Sequence, residues 1–267
     1  MMIKKIISYV LVSLLGFALN FFSISVFGRT VDSSVFQVAT INALAQGVYD
    51  GDYTYGKLMK HGDFGLGTFL GINGEMVAVD GHFYQIESDG TLKLVTANQI
   101  TPFAEVTHFK PSLHHTLNNL ANYQDLGKHI SAGFPNKNIP YAIRIDGTFK
   151  ALKLRSFRKQ KEPYPLLAQA SENQAIFHLQ NVTGSLVGFW FPEYWEGIAV
   201  AGFHFHFITK DHTMGGHVLE VNLGNGELAM EPLYQVQVYL PNTRSFAKAN
   251  LSAEELDESV KKAEGGT

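Results

Sequence analysis

The sequence contains no cysteine, which excludes disulfides, thiolate zinc sites, iron–sulfur clusters and cysteine nucleophiles by inventory alone. Any metal has to be held by histidine, carboxylate or carbonyl groups. Charge is sparse too: Asp, Glu, Lys and Arg make up 17% of the chain, the formal net charge is -3, and no long run of one sign occurs. Without a basic surplus there is little to neutralise a phosphate backbone, so nucleic acid is not an expected partner. Internal repeats and low-complexity tracts are also missing. What remains is ordinary for a packed protein, with 267 residues and an apolar fraction of 45%. That is enough for one large domain or two modest ones, stable without disulfides.

The long uncharged run lies at the front. After Lys4 and Lys5 no charge appears from Ile6 to Phe27, and the chain then meets Arg29. Residues 1–30 therefore read as an export signal. The run is longer than a typical signal core and nearly spans a bilayer, so an uncleaved anchor is the alternative. Either way the working domain starts near Val31 and sits outside the cytoplasmic membrane, secreted, periplasmic or at the cell surface.

Beyond the leader, Val35, Val38, Ile41, Leu44 and Ala45 recur at helical spacing and predict an amphipathic helix over Ser34 to Val48. A glycine-rich stretch follows, and then Asn73-Gly74, Asp80-Gly81 and Asp89-Gly90. These pairs suit hairpin turns, whose central positions need positive φ. Short strands are expected between them at Met76 to Val79, His82 to Ile86 and Leu92 to Val95. A second helix is predicted over Ser112 to Ile130 from Leu113, Leu117, Leu120, Leu126 and Ile130. After Pro135, strands are expected at Tyr141 to Ile145, Ala151 to Phe157, Ala175 to Leu179, Gly184 to Phe191, Val200 to Ile208, His217 to Leu223 and Tyr234 to Leu240. Ser252 with Glu255 three residues on forms a capping-box pattern before a closing helix that runs to Glu264. The fold class is α/β of the α+β kind, with mixed, mostly antiparallel sheets and a few helices. The expected division is an N-terminal sheet domain over 31–130 and a C-terminal metal-binding sheet domain over 131–267, the metal site facing the first part.

The chemistry concentrates in Phe203-His204-Phe205-His206-Phe207. Perfect alternation in a strand puts both imidazoles on one face and the phenylalanines on the other. Past the polar connection Lys210 to Gly216, His217 opens the next strand. If that connection closes an antiparallel hairpin, His217 lies opposite the pair at a cross-strand distance of ~5 Å. Three imidazoles meeting at one point suit zinc, with a coordination position left open for catalysis. Nickel, copper, manganese and iron also take histidine. Taken alone, His-x-His in a strand is also compatible with solvent-facing or hydrogen-bonded histidines. His212 beside Asp211 reads as a surface residue, and His114-His115 on a helix could not share an ion.

The stretch Gly197-Ile-Ala-Val-Ala-Gly-Phe-His-Phe-His-Phe-Ile, with Gly215-Gly-His-Val-Leu-Glu220, resembles the metal-binding signature of the acetolactate decarboxylase family. The stretch from His61 through Asn73-Gly-Glu-Met-Val-Ala-Val-Asp-Gly81 is similar to the N-terminal signature of the same family, and the resemblance runs from about Val35 to Glu264. It implies decarboxylation of 2-acetolactate to acetoin and carbon dioxide. It implies zinc held by His204, His206 and His217, and a homodimer formed through the N-terminal sheet. It implies Glu75 and Glu264 as catalytic acids, Arg155 as an active-site arginine and Thr68 as a substrate-binding residue. The neighbouring Glu254, Glu255 and Glu258 compete with Glu264 for its place. Read from the residues alone, Glu75 is a turn residue and Arg155 a solvated strand residue. Alternative functions are an exported zinc hydrolase or lyase using a metal-activated water, and a metal-binding protein without catalysis. A cupin-like oxygenase is disfavoured because no Glu lies between His206 and His217.

Overall fold

Turn chemistry and strand alternation place most of the elements. The computed structural model describes residues 33–252 and 256–264. The leader over 1–30 and the Glu255 half of the expected capping box lie outside the described residues. The chain runs β1 (Ser34–Val38), α1 (Ile41–Ala45), β2 (Tyr53–Thr54), α2 (Tyr55–Leu58) and β3 (Phe64–Thr68). A meander follows, β4 (Glu75–Val79), β5 (His82–Ile86) and β6 (Leu92–Leu94), then β7 (Ile100–Thr101) and β8 (Ala104–Thr107). Next come β9 (Leu113–Leu120), α3 (Tyr123–Ala132), β10 (Tyr141–Ser156), α4 (Leu167–Ala170) and β11 (Ala175–Phe191). The last elements are β12 (Gly202–Thr209), β13 (Gly215–Pro232), β14 (Gln235–Tyr239), α5 (Arg244–Lys248) and α6 (Leu256–Glu264).

A seven-stranded sheet has the order β14-β1-β8-β3-β4-β5-β6, with β14 parallel to β1 and the other pairs antiparallel. A second sheet runs β10-β11-β12-β13-β9, and β10 also pairs with β13. Strands β10 to β13 thus close on themselves as a small barrel. Its interior is filled by Ile143, Ile145, Phe149, Leu154, Leu186, Phe205, Phe207 and Val218. The outer face of the barrel packs on the first sheet through Val187, Phe189, Phe191 and Ile208 against Val35, Phe64, Leu66, Val77 and Val79. The mixed, mostly antiparallel α+β class is the one expected. The sheets do not follow a cut after residue 130, since β9 joins the barrel sheet and β14 the first sheet, and Asp32–Thr267 form one compact unit.

Two expected helices are corrected. Ser34 to Val48 splits into β1 and the short α1, because Ala39 takes a left-handed φ of 59° between them. Val35, Phe36, Gln37 and Val38 are all buried, so β1 is covered on both faces and shows no strand alternation to read. Ser112 to Ile130 becomes β9 and α3, the latter capped by the Asn122 side chain accepting from the Asp125 N–H. Asn119, at φ 52°, interrupts the alternation so that Leu117 and Leu120 both reach the barrel core, and this spacing of three imitates a helix. His114 and His115 therefore sit on a strand, both exposed. Four expected strands are two long ones, because the segments between them, with Gly147 facing Gly184, stay in register inside the β10–β11 pair. A Cβ at Gly147 would strike the backbone of Asn225, so glycine here permits a close strand crossing.

The three expected hairpin pairs fall at turns, with positive φ at Gly74, Gly81 and Gly90. Asp80 and Gly81 take φ of 52° and 77°, the signature of a type I′ turn between β4 and β5. A Cβ on Gly81 would meet nothing within 4 Å. Gly81→Ala should therefore cost only the left-handed backbone penalty, ~1 kcal/mol of unfolding free energy in urea titration. Gly188→Ala, whose Cβ would run into the His204 carbonyl, should cost several times more.

Candidate active site

The residues of β12 alternate as their pattern requires. Phe205 and Phe207 point into the barrel, and His204 and His206 point out towards the first sheet, all four buried. The β12–β13 hairpin sets His217 directly opposite His206. Ring centroids of the three imidazoles lie 5.3 Å (His204–His206), 5.0 Å (His204–His217) and 5.3 Å (His206–His217) apart. One nitrogen from each comes within 4.8 Å of the others.

Backbone carbonyls fix two of the tautomers. His206 Nδ1 lies 2.7 Å from the Met76 carbonyl and His217 Nε2 lies 2.9 Å from the Glu264 carbonyl. A carbonyl only accepts, so these nitrogens carry the protons and leave His206 Nε2 and His217 Nδ1 as lone-pair donors. His217 Nδ1 and both nitrogens of His204 have no hydrogen-bond partner. Burial lowers all three imidazoles, His206 to about 3 and the other two well below the usual histidine value, with like charges adding to the effect. They are neutral at pH 7, the form that ligates a metal. Buried nitrogens without partners are costly, and a divalent cation at their meeting point would satisfy them. The donor set of three neutral imidazoles fits zinc.

Facing the imidazoles is a buried ion-pair network. Arg155, near the end of β10 and in register with His217, is 1% exposed. Its Nη1 donates to Glu75 Oε1 at 2.5 Å and its Nη2 to Glu264 Oε2 at 3.1 Å. Its guanidinium carbon sits 4.3 Å over the Phe157 ring, and its Nε has no partner. Glu75 opens β4, and its Oε2 is 3.6 Å from His206 Nε2. Glu264 ends α6, with Oε2 at 3.3 Å from His204 Nε2 and 3.6 Å from His217 Nδ1. Burial pushes the Glu75 carboxyl up to about 7 against the pull of Arg155, and it raises Glu264 in the same way.

His204, His206, Glu75, Arg155 and Glu264 border a narrow cavity of ≈ 20 Å³ whose remaining walls include Thr68, Ile41, Leu44, Ile72, Phe103 and Phe157. Thr68 donates its hydroxyl proton to the Gly74 carbonyl at 2.7 Å. The site therefore brings together Thr68, Glu75, Arg155, Glu264 and the three histidines. Two local expectations are corrected. Arg155 is buried where a solvated strand residue was expected, because Glu75 of β4 and Glu264 of α6 close over it. Glu75 is the first residue of a buried strand, with a side chain only 4% exposed. Of the competing acids, Glu258 is exposed, and Glu254 and Glu255 lie outside the described residues. His212 is exposed, its Nδ1 3.0 Å from the Tyr84 hydroxyl. The apolar walls escaped sequence reasoning, since Ile72, Phe103 and Phe157 look like any core residue.

Comparison with known proteins gives the family. The profile of the family described as alpha-acetolactate decarboxylase matches residues 35–253. An alpha-acetolactate decarboxylase of Brevibacillus brevis is 44% identical over 218 residues, covering 82% of this chain and 76% of that protein. One from Bacillus subtilis strain 168 is 39% identical over 233 residues, covering 87% and 91%. The crystal structure of alpha-acetolactate decarboxylase from Bacillus subtilis strain 168 superposes with a TM-score of 0.85 at 38% identity, covering 87% of this chain and 99% of that one. The chain belongs to the alpha-acetolactate decarboxylase family and is a decarboxylase of acetolactate.

Proposed function

We propose that the enzyme is zinc-dependent and converts 2-acetolactate to acetoin and carbon dioxide inside the cavity between the barrel and the first sheet. The observation that carries this reading is the cluster of three neutral, buried imidazoles facing the Glu75–Arg155–Glu264 network. Acetolactate is a β-keto acid with a hydroxyl on the carbon that bears the carboxylate. Loss of carbon dioxide leaves an electron pair that needs a sink at the ketone, and the carbon must then take up one proton. When bound at His204, His206 and His217, zinc supplies that sink as a Lewis acid towards the ketone and hydroxyl oxygens.

The chain's own residues do the rest. Arg155 keeps an unused Nε–H beside the cavity wall and orients the substrate carboxylate by a charge-assisted hydrogen bond. Thr68 lends its hydroxyl oxygen as a further polar contact on the same wall. Glu75, raised to about 7, holds its proton part of the time at neutral pH and donates it to the carbon that lost carbon dioxide. Glu264 enters from a different element and is the second acid of the pair. The apolar walls limit access of water to the carbanion, and the spent carboxylate recovers its proton from solvent.

Glu75→Gln and Glu264→Gln should each lower kcat by ~10²–10⁴, and at least one should change the handedness of the acetoin, read by chiral chromatography. If neither rate nor enantiomer ratio moves, the acid assignment is wrong. Chelation should remove one equivalent of zinc per chain by atomic absorption, lower Tm and abolish acetoin formation. Re-addition of zinc should restore all three, and His206→Ala should bind no zinc even when refolded with it.

We further propose that the enzyme is exported by its N-terminal leader and works as a homodimer through the first sheet. The uncharged run between Lys5 and Arg29 supports export. The position of β6 at the end of the sheet, with Leu94 67% exposed, supports pairing there. Protein recovered from culture supernatant should begin near Val31 by N-terminal sequencing and sediment at twice the chain mass. A cell-retained monomer would remove both readings.

A further inference from the structure

Glu105 and Glu231 are buried acids that take no part in the chemistry above, and Glu105 is the one without a hydrogen-bond partner on either oxygen. Glu105 lies in the middle of β8, 1% exposed, directly opposite Gln37 on β1 and Leu66 on β3. Neither of its carboxyl oxygens has a hydrogen-bond partner. Gln37 is 0% exposed, and its Oε1 also has none. The Gln37 amide cannot turn round to help, because its Nε2 donates at 2.7 Å both to the Ala39 carbonyl and to the Ile198 carbonyl. Glu105 and Gln37 are thus register partners on adjacent strands, whose side chains stand ~5 Å apart at Cβ, and each carries oxygen without a partner. A hydrogen bond between them needs a proton on one, and a carboxyl can carry it where an amide oxygen cannot.

What Gln37 holds is part of the cavity. The Ile198 carbonyl also accepts from the Ile41 N–H at 2.9 Å, and the Asn42 N–H donates to the Gly197 carbonyl at 3.2 Å. These bonds dock the first turn of α1, whose Ile41 and Leu44 line the cavity. The bond to Ala39 secures a residue at φ 59°, a conformation that alanine rarely adopts.

We propose that Glu105 is a positioning residue: as a neutral carboxylic acid it donates to Gln37 Oε1, fixes the Gln37 amide on the Ala39 and Ile198 carbonyls, and so holds α1 against the cavity. Burial, with the charge of Glu264 on α6 adding to it, pushes the Glu105 carboxyl up to about 8. The neighbours on β1 and β3, Gln37 and Leu66, are uncharged, as are Phe103 just before β8 and Thr107 within it, and the barrel contributes the phenyl rings of Phe189 and Phe191 to this layer. The folded value lies above the unfolded one, so the stabilisation is complete below the ordinary carboxylate value of 4.5, falls as pH rises from there, and is fully lost above about 8.

The kinetic half of the test rests on the decarboxylase reading, and the stability half does not. Glu105→Gln keeps a donor for Gln37 Oε1 at every pH, whereas Glu105→Leu has none. Thermal melts of the zinc-loaded full chain, followed from about pH 5 to pH 9, should show wild-type Tm falling relative to Glu105→Gln up to about pH 8 and running parallel to it above that. Glu75 and Glu264 are common to both proteins and cancel in that difference. With acetolactate, Glu105→Leu should raise KM about tenfold, the equivalent of one hydrogen bond, with kcat within about twofold, and Glu105→Gln should restore KM. Wild-type and Glu105→Gln melts that stay parallel across the range would overturn the proposal, as would an unchanged KM in Glu105→Leu. Diverging melts in a protein that makes no acetoin would uphold the Glu105–Gln37 pair and remove the decarboxylase mechanism instead.

Discussion

A guanidinium taken out of water has to find anionic partners, and much of the site's arrangement answers that demand at Arg155. Its partners Glu75 and Glu264 stand 80 and 109 residues away along the chain, so the network ties the barrel to the first sheet and to the last helix. A buried pair of this kind contributes little net stability, but losing one member leaves an uncompensated charge, at a cost of ~3–5 kcal/mol. One cation serves two carboxyls here. Burial is the physical origin of the raised Glu75 and Glu264 values, opposed by Arg155 in both, and the charge of Glu264 adds to it at Glu75. A proton is thereby kept within 4 Å of the imidazole cluster.

The imidazoles obey the opposite logic. Burial keeps them neutral, and their orientation is set by groups outside their own strands. The Met76 carbonyl comes from the first sheet and the Glu264 carbonyl from the end of α6. The helix that delivers an acid to the site therefore also sets the tautomer of a ligand. His204 has no such partner, and its ring is placed instead by the rigidity of β12, whose phenylalanines are locked in the barrel. Phe207 packs edge-on against Phe149 at 5.1 Å.

Glu75, Glu264 and Glu105 are all buried, and their surroundings separate their roles. Glu75 and Glu264 have a cation and imidazoles beside them, and they face the cavity. Glu105 has neither, and its cross-strand neighbour is an amide whose own hydrogens are already committed to backbone carbonyls. The same burial that poises one carboxyl for proton transfer keeps the other neutral and structural.

Much of this protein could be read from local pattern. The Phe-His alternation over residues 203–207, the following hairpin and the three X-Gly turns are decided by strand geometry and backbone sterics within a few residues, so the histidine cluster and the meander were legible. Strand β1 and β9 were not, because burial on both faces and the interruption at Asn119 produce helix-like spacings without helix-like structure. The sequence by itself determined which side chains share a strand face and which turns can form. Only the tertiary structure decided that Arg155 is buried, that Glu75 and Glu264 meet on it, and that Glu105 and Gln37 oppose each other. Those facts depend on burial and charge pairing between segments far apart in the chain, and desolvation is a property of the packed surroundings that no single segment encodes.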